Sequence, residues 1–427
     1  ELIALFFERP EQGSRTLIVH IKNDRSELAT LSEIEELARS ADLELVGHVD
    51  SARREPHPKT YVGQGKLEEV RQAAEKEQAE LILFSEDLSP AQERNLESDL
   101  KRRVLSRTGL ILEIFAQRAR THEGQLQVEL AQIQHSASRL VRGWSHLDRQ
   151  RGGMGAGLGG AGETQLEADQ RLLGARRKKL SERLERVRRQ RNQSRRSRKR
   201  SETQTIALAG YTNAGKSTLF NQLTEGEVYA ADQLFATLDP TLRQINVPVV
   251  GRAIISDTVG FIRDLPHALI EAFKATLEEV AEADLILHVV DAAAPERQAR
   301  IQEVNEVLHE IGAAEVPQLL VFNKVDCLDE PFSPLHQNAA GQPVSVATSC
   351  MTGFGMEMLA EAMAVRLADQ MIETTITLAP HQGLARARCF ELAEVQEESA
   401  SESGDICLRL RIEKKNMARL ESVLQAG

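Results

Sequence analysis

Cysteine is scarce in this chain. The four residues Cys327, Cys350, Cys389 and Cys407 show no C-x-x-C spacing, so neither a structural zinc site nor a disulfide framework is expected. Long hydrophobic runs are missing too: none approaches the ~18 residues of a membrane span. The opening ELIALFFERP has no basic n-region, and its apolar run is too short for a signal peptide. It also lacks Met, so earlier residues are expected to precede it. These absences together predict a reduced, cytoplasmic protein, with peripheral association at a membrane surface left open. The chain has 427 residues, 41% hydrophobic and 27% charged, the balance of a globular protein of about three domains.

Net charge is −11, which as an average argues against a polyanion partner. Its distribution argues otherwise. Residues 171–200 carry 15 Lys and Arg against Glu182 and Glu185, a charge of +13, which leaves −24 on the other 397 residues. A basic segment on an acidic body suggests a local polyanion contact. An equally ordinary reading is a solvated helix face followed by a basic linker over 191–202.

Four segments follow along the chain. Over 1–120, the runs LIVHI (17–21), LELVGHV (43–49), LILF (81–84) and RVLSRT (103–108) read as strands. Helical stretches lie between them near 27–40, 66–79 and 90–102, the pattern of a small parallel α/β domain. Over 121–200 the period changes. Leu126, Leu130, Ile133, Ala137, Leu140, Trp144 and Leu147 alternate spacings of 4 and 3, and Leu166, Leu173, Leu180, Leu184 and Val187 continue the seam. Two such seams predict a long antiparallel helical hairpin. Its first helix, Gly124 to Arg149, would be roughly 40 Å long at 1.5 Å per residue. Strands return over 203–368 as TIALAG (205–210), AIISDT (253–258), LILHVVD (285–291), QLLVFNK (318–324) and VSVATS (344–349), a second α/β domain. The stretch 373–427 holds ITLAP, ICLRLRI and a terminal helix, a small α+β tail.

The hairpin's connection is rich in glycine: seven of the eleven residues from Gly152 to Gly162. It contains two overlapping G-x-G-x-x-G patterns, but they follow a helix rather than a strand and so lack the context of a dinucleotide loop. That context appears about 50 residues later. Gly210, Tyr211, Thr212, Asn213, Ala214, Gly215, Lys216 and Ser217 match G-x-x-x-x-G-K-[ST] between a strand and a helix. Such a loop wraps phosphates with successive backbone N–H groups and a helix N-terminus. Lys216 would reach the β- and γ-phosphates, and the Ser217 hydroxyl would ligate Mg²⁺.

Asp257, Thr258, Val259 and Gly260 end another strand. Asp257 would hold Mg²⁺ through water, and the Gly260 N–H would sense the γ-phosphate. Between these motifs lies FATLDPT, where Phe235, Ala236, Thr237, Leu238 and Asp239 are candidates to close over the nucleotide, with the Thr237 hydroxyl on Mg²⁺. Asn323, Lys324, Val325 and Asp326 form N-K-x-D at a strand end. A carboxylate at Asp326 can accept from the N1–H and N2–H₂ edge of guanine. Adenine has no donor at N1 and would leave it unpaired, so Asp326 selects GTP over ATP. Asn323 and Lys324 would brace base and loop. Ser349, Cys350 and Met351 follow the next strand, where the Cys350 backbone N–H would contact guanine O6. This order of motifs predicts a GTP- and GDP-binding domain with Mg²⁺ as cofactor and Lys216, Thr237 and Gly260 in hydrolysis. Phe261 stands where Ras-like proteins place a water-orienting Gln, so intrinsic hydrolysis is expected to be slow. Arg263 is a candidate arginine finger, although an exposed structural Arg is the plainer reading.

The chain resembles the HflX family of ribosome-associated GTPases. The resemblance is carried by EPHPK (55–59), VGQGK (62–66), FAQRARTHEG (115–124), ELAQ (129–132), RLVRGW (139–144), GETQLE (162–167), GYTNAGKSTLFN (210–221), ADQLFATLDPT (231–241), DTVGFI (257–262) and NKVD (323–326). It implies an N-terminal domain, a helical arm, a G domain and a variable tail. It also implies binding to the large ribosomal subunit, whose contact stimulates GTP hydrolysis, and in some members splitting of stalled or idle ribosomes, notably under heat stress. The family's arm carries its glycine loop toward ribosomal RNA near the peptidyl transferase centre. Gly152, Gly155, Gly157, Gly160, Arg176, Arg177, Lys178 and Lys179 are the RNA-contact candidates here. The family loop resembles G-G-x-G-x-R-G-P-G-E-T-Q-L-E. This one is two residues longer, with Gly159 where Arg is expected and Ala161 where Pro is expected. Some members also hydrolyse ATP, with the N-terminal domain implicated, yet no second P-loop is visible here.

The expectation is therefore a monomeric GTPase acting on the large subunit. A GTP-switched, ribosome-binding scaffold with little hydrolysis of its own is the alternative. An enzyme in the first domain, using His48, Asp50, His57 and Lys66, is a third reading, but those residues show no triad or metal spacing.

Overall fold

The continuous apolar run LIVHI cannot face water on either side, which is the signature of a strand inside a parallel sheet. In the computed structural model it forms the core of β1 (Arg15–Lys22), where only the two end residues are partly exposed. The structure describes residues 13–22, 27–52, 56–143, 165–200, 203–224, 235, 241–262, 277–368, 371–379, 382–400, 404–413, 417 and 420. Two compact units divide the chain. The first comprises Glu1–Arg191, Tyr229–Pro240 and Thr258–Glu278, and the second Asn192–Val228, Thr241–Asp257 and Glu279–Gly427.

In the first unit, β1 pairs in parallel with β2 (Glu44–Ala52) and β3 (Leu81–Phe84), and β3 pairs with β4 (Arg103–Leu105). The sheet order is β2-β1-β3-β4. Helices α1 (Glu27–Ser40), α2 (Gln64–Lys76) and α3 (Pro90–Leu100) alternate with the strands as the sequence predicts. The fourth strand is shorter than its predicted span of 103–108. Ser106 caps the next helix, α4 (Arg107–Arg118), by accepting from the Gly109 N–H at 3.3 Å. A capping hydroxyl ends the strand there.

The hairpin forms from α5 (His122–Gly143) and α6 (Gln165–Arg200). Leu126 and Ile133 share one buried cluster with Leu173 and Leu180, and Leu130 and Leu184 pack against it. Between them the Arg176 Nε donates to the Glu129 Oε1 at 2.7 Å. Residues at similar distances from the connection meet, so the helices run antiparallel. The basic stretch predicted as a linker is instead helical as far as Arg200. Arg and Gln are good helix formers and nothing up to Arg200 breaks the turn. The glycine connection, Trp144 and Leu147 lie outside the described residues.

The second unit is built on a seven-stranded sheet of order β10-β11-β9-β8-β5-β7-β6. Its strands are β5 (Gln204–Gly210), β6 (Thr241–Val247), β7 (Gly251–Asp257), β8 (Leu285–Asp291), β9 (Gln318–Asn323), β10 (Leu335–Gln337) and β11 (Pro343–Ala347). The five inner strands are parallel, and β6 and β10 run antiparallel at the edges. Among the described residues, helices α7 (Lys216–Thr224), α8 (Arg297–Glu310) and α9 (Met356–Ala368) accompany this sheet. The tail is a three-stranded antiparallel sheet of order β12-β14-β13, made of β12 (Met371–Leu378), β13 (Glu394–Ala400) and β14 (Ile406–Glu413), with α10 (Gly383–Leu392). No helix among the described residues is long and apolar enough to cross a membrane.

Candidate functional site

In an open α/β sheet, ligands are held outside the carboxyl ends of the parallel strands. In the seven-stranded sheet those ends are Gly210, Asp257, Asp291, Asn323 and the Thr348–Cys350 turn after β11. Most motif residues named from the sequence therefore fall on one rim.

The loop after β5 depends on glycine twice. Gly210 has φ +146, and a Cβ there would lie 2.2 Å from the Val289 carbonyl oxygen. Gly215 has φ +91, with a Cβ 2.2 Å from the Asn323 Nδ2. Asn213, at φ 59, takes the left-handed conformation that Asn tolerates. The turn closes on Lys216, whose Nζ donates to the carbonyls of Gly210 at 3.0 Å and Tyr211 at 2.8 Å. Burial pushes the Lys216 ammonium down to about 8, against the opposing attraction of Asp257. Thr212 and Ala214 are buried, as is Tyr211, whose ring lies 4.8 Å beneath the Arg300 guanidinium.

Ser217 follows Lys216 in the first turn of α7, and its hydroxyl donates to the Asp257 Oδ2 at 2.7 Å. The two residues proposed to share a cation are thus in contact. Asp257 is fully buried. Thr258, Val259, Gly260 and Phe261 follow it directly and are buried.

Asn323 joins the loop to the opposite side of the rim. Its Nδ2 donates to the Ala214 carbonyl at 3.1 Å, and its Oδ1 accepts from the Cys350 N–H at 3.2 Å. Gln222 on α7 reinforces this by donating to the Cys350 carbonyl at 3.1 Å. The Cys350 N–H is therefore engaged within the protein, and the base contact expected of it competes with this bond. Cys350 itself is buried, which pushes its thiol up to about 11. Lys324 has φ 63 and pairs with Asp291, Nζ to Oδ2, at 2.9 Å. Val325 starts a 3₁₀ turn that presents Asp326 to solvent. A hydrogen bond from the buried Ser349 side chain is the first cause holding the Asp326 carboxyl below its usual value. Met351 is 81% exposed.

The other candidates fall elsewhere. The Phe235 ring is buried in the first unit and meets Phe115 edge to face, with centroids 4.6 Å apart. An apolar ring gains by that burial, so its side chain is not offered to a nucleotide. Ala236, Thr237, Leu238, Asp239 and Arg263 lie outside the described residues, as do Gly152, Gly155, Gly157 and Gly160. Arg176, Arg177, Lys178 and Lys179 are all exposed, and Arg176 is paired with Glu129. In the first domain, Asp50 pairs with His20 and Lys22, and Lys66 with Glu69. The His57 ring accepts from the Lys59 N–H. His48 adds a coulombic attraction to Asp50, and among the described residues no group of three or more His, Cys, Asp or Glu side chains could hold a metal. Sequence reasoning missed Asp291, Arg300 and Gln222. Only Asp291 left a signal, as the acidic end of the run LILHVVD.

Four consecutive stretches match known families. Residues 29–116 match "GTP-binding GTPase N-terminal" and 118–198 "GTP-binding GTPase Middle Region". Residues 205–324 match "50S ribosome-binding GTPase" and 334–427 "HflX C-terminal domain". GTPase HflX of Escherichia coli K12 is 50% identical over 415 residues, 97% of either chain. The chain belongs to the HflX family. It is a GTP-binding GTPase. GTPase HflX of Magnetococcus marinus is 45% identical over 86% of this chain and 84% of its own. A GTP-binding protein from Sulfolobus solfataricus, solved in complex with GDP, aligns at 22% identity with a TM-score of 0.45, over 83% of this chain and 99% of that one.

Proposed function

We propose that this HflX-family GTPase is Mg²⁺-dependent, binds the large ribosomal subunit and its RNA, is stimulated by that subunit, and acts in ribosome splitting, rescue or biogenesis under stress. Its place is the cytoplasm, and it works as a monomer. The observation that carries the nucleotide part is Asn323, which ties the Ala214 carbonyl of the phosphate loop to the Cys350 N–H of the base loop. One residue thereby sets the spacing between a triphosphate and its guanine.

Ser217 and Asp257 suit Mg²⁺. Both are hard oxygen donors, in contact at 2.7 Å, beside the phosphate loop. No cluster of three or more His, Cys, Asp or Glu side chains could hold a metal among the described residues. Mg²⁺ needs none, because it keeps waters and takes phosphate oxygens with one or two protein ligands. Ser217 and Thr237 would bind it directly and Asp257 through water. The chemistry it supplies is neutralisation of charge on the phosphate oxygens. Lys216 turns from the Gly210 and Tyr211 carbonyls toward the β- and γ-phosphates, and the Gly260 N–H senses the γ-phosphate. Asp326 reads the guanine edge. The buried Phe261 ring cannot orient water, so turnover waits on the ribosome. Arg177, Lys178 and Lys179, exposed on the arm, offer charge to RNA phosphates.

GTP turnover is measured with and without large subunits, and 70S ribosomes are sedimented with the protein and a non-hydrolysable GTP analogue. Faster turnover and a rise in free subunits are expected. Equal rates overturn the activation, and an unchanged subunit ratio overturns the splitting. The buried Phe261 also favours a second reading, a GTP-switched scaffold that hydrolyses little. Ribosome-bound protein that leaves GTP intact in a single turnover would establish it.

A further inference from the structure

Lys324 stands in the N-K-x-D element, yet its long side chain carries considerable rotamer freedom. The structure removes that freedom. Asp291 ends β8 directly beside Asn323 in the parallel register of β8 and β9. The next residue, Lys324, turns through φ 63, and its Nζ returns to the Asp291 Oδ2 at 2.9 Å. The carboxylate is itself fixed, because its Oδ1 accepts from the Ala293 N–H at 3.0 Å. The two strand ends are tied a second time by the Ala292 N–H on the Asn323 carbonyl at 2.8 Å. Asp291 also lines a narrow cleft with Tyr211 and Ala214 of the phosphate loop and with Arg300.

We propose that Asp291 is a positioning residue for guanine nucleotides: by pairing with Lys324 it fixes that side chain in advance against the base. The proposal rests on reading this rim as the GTP site. Ordering a lysine only when ligand arrives lowers affinity, and ordering it beforehand avoids that loss. The pair acts on the base side, remote from the γ-phosphate. GTP and GDP should therefore gain equally, and the chemical step should not.

Asp291→Asn keeps an acceptor for the Ala293 N–H and removes the charge that holds Lys324. Titration calorimetry of the full chain with GDP and with a non-hydrolysable GTP analogue should show both bound on the order of fivefold more weakly. Ribosome-stimulated turnover should show a matching rise in KM with kcat retained. The deficit should shrink in high salt, where screening weakens the pair in the parent protein too. Asp291→Glu should restore part of the affinity. In the cycle with Lys324→Met, that substitution should cost less affinity when Asp291 is already Asn than it costs in the parent. A parent protein that binds no guanine nucleotide overturns the site itself. A parent that binds, with Asp291→Asn equal to it or additive with Lys324→Met, overturns only the positioning role. Should Asp291→Asn lower the melting temperature, the cycle still decides, because a general loss of fold gives additive effects.

Discussion

Gly215 and Asn323 approach so closely that a single methyl group on the glycine would fall 2.2 Å from the asparagine Nδ2. That nitrogen cannot step aside freely, because Asn323 also bonds the Ala214 carbonyl and the Cys350 N–H. The glycine further holds φ +91. Gly215→Ala therefore meets both a steric and a backbone penalty. Strain of this kind costs roughly 1–3 kcal/mol, so GDP affinity should fall by up to about a hundredfold. Calorimetry on folded protein checks this, and near-parent affinity would show that the phosphate and base loops move independently.

Phe115 and Phe235 are buried and meet edge to face. Removing a buried phenyl costs about 3–5 kcal/mol, and an edge-to-face pair adds about 0.5–1.5 kcal/mol to its area burial. Phe115→Ala should lower the melting temperature of the first unit by several degrees, while Phe115→Leu should lower it less. Differential scanning calorimetry separates the two variants. Equal melting temperatures for the parent and Phe115→Ala would mean that the pair contributes nothing to that core.

Much of the fold and site was legible because each motif combines a local conformation with a strand end. The run TIALAG followed by GKS needs only one strand, one helix and glycines at strained φ, all visible locally. Heptad spacing likewise foretold the seam of Leu126, Ile133, Leu173 and Leu180. What stayed hidden depends on long-range pairing. The edge strand β10 pairs with β11, and β6 folds antiparallel onto β7, in runs with little apolar content. Asp291 gains meaning only when β8 lies beside β9, and Arg300 only when α8 covers Tyr211. Phe235 sits in a nucleotide-like motif, but its ring is claimed by Phe115, 120 residues earlier. Ser106 misled the strand reading for the opposite reason, since a local cap overrode an apolar run.

The arm makes a prediction of contrast. Arg176, Arg177, Lys178 and Lys179 are all exposed, but the Arg176 charge is already paired with Glu129. If RNA phosphates are the partner, replacing Arg177, Lys178 and Lys179 with Gln should weaken large-subunit binding on the order of tenfold or more. It should also flatten the dependence of log K on log salt by about 0.7–0.9 for each phosphate that is no longer neutralised. Arg176→Gln alone should cost less than any one of them, and GDP affinity should be untouched throughout. Subunit co-sedimentation across a salt series measures both quantities. An unchanged slope in the triple variant would return the basic helix to a solvated face.

Lys216 makes nucleotide binding depend on pH in a defined direction. Burial holds its ammonium down to about 8. Bound phosphates add negative charge beside it and raise that value. Below pH 8 the ammonium is charged with or without nucleotide, so affinity should be flat. Above pH 8 the protein alone has lost the proton and binding must take it back up, so affinity should fall as pH rises. The slope approaches tenfold per pH unit, which makes GDP binding at pH 9 about tenfold weaker than at pH 7. The opposite sign would require a group that binds nucleotide better when deprotonated and that titrates above pH 8; Asp326 binds guanine as a carboxylate, but it is held below its usual value and stays charged across this range. Calorimetry in buffers of different ionisation enthalpy should show uptake of about one proton at pH 9 and almost none at pH 7. A flat affinity profile, or no buffer dependence at pH 9, would mean that Lys216 keeps its charge inside the loop and that its two carbonyl partners outweigh the loss of solvent.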